Sequence, residues 1–556
     1  MLAFVTRHSG SCKAVSLSWD LMRPLALTYA LLPVAVFLLG WLRASFAIAA
    51  TLILLLVWLW SSFVRVRRAC PLWSPSVELL DAMNPASRTG EEKGSHAIQV
   101  SRAALLLLAL VASLWVFFSG IGGFWAQSTD FTARNGIFRC LVLDSWPVYF
   151  DGGASSLVYY LNHWLPAAAL GKIGHLLSGD ADLSMRIANI ALYVWSVAGV
   201  FLVELLALLV LRVSSNRDCL IAVLVLVFFS GCDVAGIILR CLMGSSEVAA
   251  HAFGTMHLEQ WAGSSYVQYS SNTTLLYWVF NQTIIPWVCT LSVLLERDHS
   301  RYVPFALACF GAGPYPFVGL VALCLVLGIS SCVRSIRGGN ALLWLRSVSS
   351  PANLCAALLA VIYLFFFLGN HSVASSGDRL QPFGLAPGAT LRLIVLFYIV
   401  EIGVYLVPLF SRYKKNPLYW FSAMLLAILP FIHLGSWYEV CFRVSIPVLL
   451  VICLMSARLI IEAAPSLLVR PVAETAMPWL LVIVLSIGAV TPLFEFARGA
   501  VAVSRFGVEG AVQPAADIGS AHVQEGAQSN FKAPVSDGGV FFTYLAQPYE
   551  EEQDDG

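Results

Sequence analysis

Apolar residues run along this chain in blocks of roughly 20, parted by short polar stretches, from residue 24 almost to residue 500. A helix rises about 1.5 Å per residue, so such a block can cross a hydrocarbon layer about 30 Å thick. The pattern predicts spanning helices over 24–42, 45–64, 103–124, 187–211, 219–241, 283–297, 302–313, 315–332, 352–369, 389–410, 418–435, 442–461 and 477–496. That is about 13 crossings. The first two follow one another directly, which reads as a hairpin of uncleaved helices and not as a signal peptide. Segment 154–177 mixes Trp, Tyr, His and Lys with apolar residues and predicts a helix lying at the membrane interface. Gly311-Ala-Gly-Pro-Tyr-Pro316 reads as the tip between two short helices.

The expected fold is therefore an all-α, polytopic transmembrane bundle whose outer loops carry interfacial helices. Residues 1–496 form the membrane domain, with long outer loops at 125–186 and 242–282. Residues 497–556 turn Gly/Ala/Ser-rich and end in Glu550-Glu-Glu-Gln-Asp-Asp555, a pattern expected of an external, partly disordered tail. Within that tail, Phe541-Phe-Thr-Tyr-Leu545 is apolar enough to dock back on the bundle.

Composition agrees with a membrane location. The chain has 556 residues, 59% apolar and only 12% charged, with mean hydropathy +0.79. Soluble chains carry about 25% charged residues. The net charge of +1 leaves no electrostatic footprint for nucleic acid. The 13 cysteines are scattered through apolar runs with no CxxC, as small core residues would be. Basic residues sort the loops. Arg65, Arg67 and Arg68, then Arg212 and Arg217, then Arg334, Arg337 and Arg346, then Arg412, Lys414 and Lys415 mark cytoplasmic sides, whereas 242–282 holds no Lys or Arg. The expectation is a cytoplasmic N-terminus, with 125–186, 242–282, 370–388 and the C-terminal tail outside.

Candidate chemistry gathers in the outer loops. The first holds Asp130-Phe-Thr-Ala-Arg134, then Asp144-Ser-Trp-Pro147, Tyr159-Tyr-Leu-Asn162-His163 and Lys172. Asp130 and Arg134 stand four apart and share a helix face. They form either a plain surface ion pair or a carboxylate base beside a phosphate-gripping guanidinium. The second loop holds His257-Leu-Glu259, Gln268-Tyr-Ser-Ser-Asn272 and Phe280-Asn281-Gln282, the amide and aromatic mixture that binds sugars and headgroups. His257 and Glu259 do not have HExxH spacing, and no metal site is expected. Glu439 and Arg443 make a further charged pair at a helix mouth. Nucleotide-binding and hydrolase fingerprints are absent from the sequence, and so is an internal repeat.

The order of these parts resembles the GT-C superfamily of polyprenyl-phosphate-sugar-dependent glycosyltransferases. The matching pieces are Asp130 past a helix, Leu157-Val-Tyr-Tyr160, and the paired helices of 302–332. A more specific likeness, over roughly residues 100–450, is to a group of bacterial polytopic membrane proteins. It rests on Asp144-Ser-Trp-Pro147, Gly171-Lys172, Gln268-Tyr-Ser-Ser-Asn-Thr-Thr274, His257-Leu-Glu259 and Arg443-Val-Ser-Ile-Pro447. The superfamily resemblance implies a multi-pass enzyme of the bacterial plasma (inner) membrane that moves a sugar from a polyprenyl-phosphate donor to an envelope acceptor. Asp130 is then the base, Arg134, Lys172 and Arg443 meet the lipid phosphate, and His257, Glu259, Gln268, Asn272, Tyr159 and Asn162 line the sugar or acceptor pocket. Many members carry an acidic pair where this chain has the lone Asp130, so transfer without metal or cofactor is expected. A transporter or flippase of a lipid-linked precursor is the alternative, with Glu204 and Glu401 deep in predicted spans as its candidate residues. A scaffold for envelope assembly is the third.

Overall fold

Helices begin in this chain where a short polar side chain can take up the first free N–H groups. Ser18, Ser101, Asp180, Ser215, Ser350 and Thr390 each cap a long apolar helix in this way. A computed structural model of the chain describes residues 14–64, 97–245, 247–254, 257–262, 267–296, 298–370, 383–385, 389–433, 439–467, 469–520, 531–535 and 539–549.

The architecture is all-α. In chain order the elements used below are α1 (Trp19–Trp41), α2 (Ala44–Phe63), α3 (Arg102–Phe118), α4 (Phe131–Leu143), α5 (Leu165–Ser178), α6 (Ala181–Leu211), α7 (Asn216–Phe228) and α8 (Asp233–Leu242). Next come α9 (Asn272–Val279), α10 (Ile284–Leu295), α11 (Tyr302–Ala312), α12 (Pro314–Arg337), α13 (Pro351–Leu368), α14 (Leu391–Tyr398) and α15 (Val404–Tyr413). The last are α16 (Glu439–Val444), α17 (Ile446–Ala463), α18 (Val472–Gly488) and α19 (Val490–Ala511). A π turn, Ile399–Gly403, joins α14 to α15.

Among the described residues, eight helices are long and apolar enough to cross a bilayer, or ten if two bent pairs each count as one span. The bent pairs are α7–α8, at 42°, and Asn272–Gln282 with α10, at 101°. This is fewer than the 13 crossings expected, and the shortfall is one of length. Segment 302–313 folds as an 11-residue helix, which spans only about 16 Å. Segment 103–124 is helical for 17 residues, and 418–435 is helical only over Pro417–Ile428, with a short 3₁₀ turn to Phe431. Apolar sequence alone counts each run as a crossing. The protein uses 302–313 as a short buried piece, where neighbouring helices supply the apolar surroundings, while the shorter helices of 103–124 and 418–435 still turn Leu106, Leu110 and Met424 outward.

Among the eight span-length helices, α17 and α6 are the most buried, at 83% and 72% of their most apolar stretches, against 33% for α2 and α13. The outer helices turn Leu52, Leu56, Leu354 and Leu358 outward. Such an apolar exterior suits lipid and not water.

Segment 154–177 divides. Its start forms strand β2 (Ser155–Leu157), which pairs antiparallel with β1 (Tyr149–Phe150) and with β3 (Lys532–Pro534). Only α5 is helical, and it presents Leu170, Ile173, Leu176 and Leu177 on its exposed side. The C-terminal region is likewise tied to the bundle. α19 runs across position 496, β3 completes the sheet, and Phe541 stacks on Phe37 and meets Phe366 edge-on. Arg43 anchors the same stretch by donating to the carbonyls of Thr543 and Ala546. The acidic end, Glu550–Asp555, and Ser436-Trp-Tyr438 lie outside the described residues.

At the end of α10, Glu296 is buried and meets Arg23 Nε at 2.7 Å and Arg301 Nη1 at 3.8 Å. Removing one member of a buried ion cluster strands its partners and costs about 3–5 kcal/mol. Glu296→Ala should therefore lower the thermal unfolding temperature of the detergent-solubilised protein markedly. Glu296→Gln, which keeps an acceptor, should lower it less.

Candidate functional site

The helix α4 starts at Asp130, and its first turn brings Arg134 Nη2 to 3.0 Å from Asp130 Oδ2. The carboxylate side chain is half exposed and the guanidinium is buried. A second pair of the same spacing forms on α16, where Arg443 Nη1 donates to Glu439 Oε2. Tyr159 links the two. Its phenol lies in the field of Arg443, Arg134, Glu439 and Asp130 together, while burial pushes its ionisation upward. Tyr160 stacks on Tyr159 at 4.5 Å and shares the neighbourhood of Glu439 and Arg443.

Both guanidinium groups keep donors in hand. Among the described residues, Arg134 Nε and Nη1 and Arg443 Nε are buried without a hydrogen-bond acceptor. Buried charged donors ordinarily find acceptors. The spare nitrogens around Tyr159 are chemically suited to an oxyanion such as a phosphate.

Beside Asp130 lies a cavity of about 210 Å³ lined by Gln127, Thr129, Tyr277, Trp278, Glu495 and Arg498. Trp278 is packed from two directions, by the His257 ring at 3.9 Å and by the Arg498 guanidinium at 4.8 Å. Its indole N–H donates to Glu495 Oε2 at 3.1 Å, and the same oxygen accepts from Arg498. Burial pulls the His257 imidazole down to about 3; the Arg498 charge adds to this and Asp130 opposes it. A neutral ring 3.9 Å from Glu495 Oε1 is a packing contact, not an ion pair. The sequence reading passed over Glu495, Arg498, Trp278 and Tyr277. A charged residue inside the apolar run 477–496 was the available signal for Glu495.

The remaining expected residues go to other places. Lys172 donates to the carbonyl of Asp144 and lies 5.5 Å from the Trp146 ring centroid, at the far end of α4. The 13-residue helix between puts Asp144 about 20 Å from Asp130. Burial lowers the Lys172 ammonium, and Asp144 partly restores it. Asn162 is buried, accepts from the Tyr363 hydroxyl at 2.9 Å, and presses against Gly311, where a Cβ would meet its amide nitrogen at 2.2 Å. Asn272 donates from Nδ2 to the Leu226 carbonyl at 2.8 Å and so closes the end of α7. Glu204 is buried on α6, and neither carboxyl oxygen meets a hydrogen-bonding partner among the described residues.

Glu259 and Gln268 do come together. Glu259 accepts from Gln268 Nε2 at 2.7 Å, Ser270 Oγ at 2.8 Å and the Ser271 N–H at 2.8 Å. Burial pushes its carboxyl up to about 8, with the Asp233 charge adding and these hydrogen bonds opposing. Compared with models of known protein families, with curated proteins and with solved structures, the chain shows no match.

A carboxyl raised from the ordinary Glu value of about 4.3 stabilises the fold fully below that value. The contribution is lost as pH rises through about 8. The unfolding temperature should therefore fall on the alkaline side across this range, and Glu259→Gln should flatten the fall.

Proposed function

We propose that this protein is a membrane glycosyltransferase of GT-C type that takes a sugar from a polyprenyl-phosphate donor and passes it to an envelope acceptor. One observation carries the reading. Two buried guanidinium groups, Arg134 and Arg443, act on Tyr159 and keep nitrogens without an acceptor among the described residues, and a half-exposed carboxylate, Asp130, directly follows Thr129 in the wall of a cavity.

In this reading Asp130 takes the proton of the acceptor hydroxyl as that oxygen attacks the anomeric carbon. The new glycosidic bond forms while the bond from the anomeric carbon to the lipid phosphate breaks. The departing phosphate gains negative charge, which Arg134 and Arg443 meet with N–H groups already in place. Tyr159 and Tyr160 offer ring faces to the sugar. The cavity bordered by Trp278 receives the acceptor. Lys172 and Asn272 have no part in the step, being held elsewhere by Asp144 and Leu226.

The test is transfer of labelled sugar from polyprenyl-phosphate donors by the purified protein in nanodiscs. Asp130→Asn should cut kcat by about 10²–10⁴-fold with an unchanged unfolding temperature. Unaltered transfer by that variant would remove Asp130 from the chemistry. Arg443→Lys keeps the charge and loses the planar fork, so donor KM should rise more than kcat falls.

A further inference from the structure

Inside the bundle, away from Asp130, the chain breaks two of its spans at the same place. α7 ends at Phe228 and α8 begins at Asp233, while the opposite span carries the π turn Ile399–Gly403 with Glu401 in it. π turns concentrate at functional positions. Asp233 and Glu401 are both fully buried. Each carboxyl has one oxygen satisfied: Asp233 Oδ2 accepts from Ser230 Oγ at 3.0 Å and Thr491 Oγ1 at 2.6 Å, and Glu401 Oε1 accepts from Trp261 Nε1 at 2.7 Å. The other oxygens, Asp233 Oδ1 and Glu401 Oε2, receive no donor among the described residues. The two carboxyls lie side by side: the Cys232 N–H donates to the Val400 carbonyl at 3.4 Å, and each carboxyl stands in the field of the other. Glu401 Oε2 is pressed so closely on Gly231 that a Cβ there would lie 1.4 Å from it, so only glycine admits the carboxyl.

Two ionised carboxylates cannot face each other in a medium of low polarity, because both oxygens accept and neither donates. An O–H between them satisfies both orphan oxygens with one charge-assisted bond. The other titratable groups around the pair are acids, thiols and phenols: Glu259 from the loop, Cys232 beside α8, Tyr405 on α15, Tyr269 and Cys441. Among the described residues no Lys, Arg or His forms an ion pair with Asp233, Glu401 or Glu259, and no group of three or more His, Cys, Asp or Glu is placed to hold a metal ion. We propose that Asp233 and Glu401 form a proton-binding site, sharing a single proton between Oδ1 and Oε2 inside the membrane bundle. Glu259 is the next acid toward the loop and the neighbour through which that proton exchanges. The proposal is independent of the glycosyltransferase reading.

The experiment is infrared spectroscopy of the full-length protein in nanodiscs, read in the protonated-carboxyl C=O region at neutral pH. Glu204→Gln identifies the band of the other partnerless acid. Asp233→Asn and Glu401→Gln should each remove the same band, worth one carboxyl, because the surviving carboxylate then accepts from the new amide. The double variant should remove no more than either single one. Separate bands lost additively would mean two independent protonated acids, and no loss would mean that both are ionised; either result overturns the shared proton. The wild-type protein supplies a second arm that needs no variant. Equal unfolding temperatures in NaCl and choline chloride fit a proton, whereas a rise in NaCl would replace it with a sodium ion.

Discussion

Backbone carbonyls set free where a helix stops inside an apolar bundle must be bonded again, and the interior of this protein is organised around one such repair. α7 ends at Phe228, leaving the carbonyls of Leu226, Val227 and Phe229 without helical partners. Asn272 Nδ2, Thr273 Oγ1 and the Asn272 N–H take them up at 2.8, 2.7 and 3.1 Å. The start of α9 is thereby latched to the end of α7. Trp115 Nε1 adds a donor to Thr273 Oγ1 at 3.0 Å and brings α3 to the same point.

Everything of chemical interest lies on one side or the other of this latch. Toward the cavity, α9 continues into Tyr277 and Trp278, and through Trp278 it holds Glu495 of α19. Toward the broken span, Ser271 and Ser270 precede Asn272 and deliver their donors to Glu259. A short polar string, Gln268 to Thr274, thus serves two environments about one helical turn apart. Its sidedness arises because the side chains of an eight-residue helix buried on every face must each find a different partner.

The ion pairs at Asp130 and Glu439 show how similar local signals differ in consequence. Each is an i,i+4 pair that stabilises its own helix by only a few tenths of a kcal/mol. What sets them apart from ordinary surface pairs is the buried guanidinium half of each, in whose field Tyr159 lies. Lys172 carried the same charge in the same loop, but the packing of α5 on α4 gave it to Asp144 and Trp146.

The sequence by itself determined the all-α membrane class, the positions of the long helices, the break at Gly311–Pro316, the docking of Phe541–Leu545 and both i,i+4 ion pairs. These are local properties, set by apolar run length and by residue spacing along one chain segment. Only the tertiary structure decided how many apolar runs are long enough to span: 302–313 is a buried helix of 11 residues, and 103–124 is helical for 17. It likewise decided that Asn162 meets the Tyr363 hydroxyl, that Asn272 meets the Leu226 carbonyl, and that Asp233 comes beside Glu401, 168 residues further along the chain. A lone acid in an apolar run announces that something must compensate its burial, but which oxygen faces which donor depends on helices packed across the bundle, and no spacing within one segment encodes that.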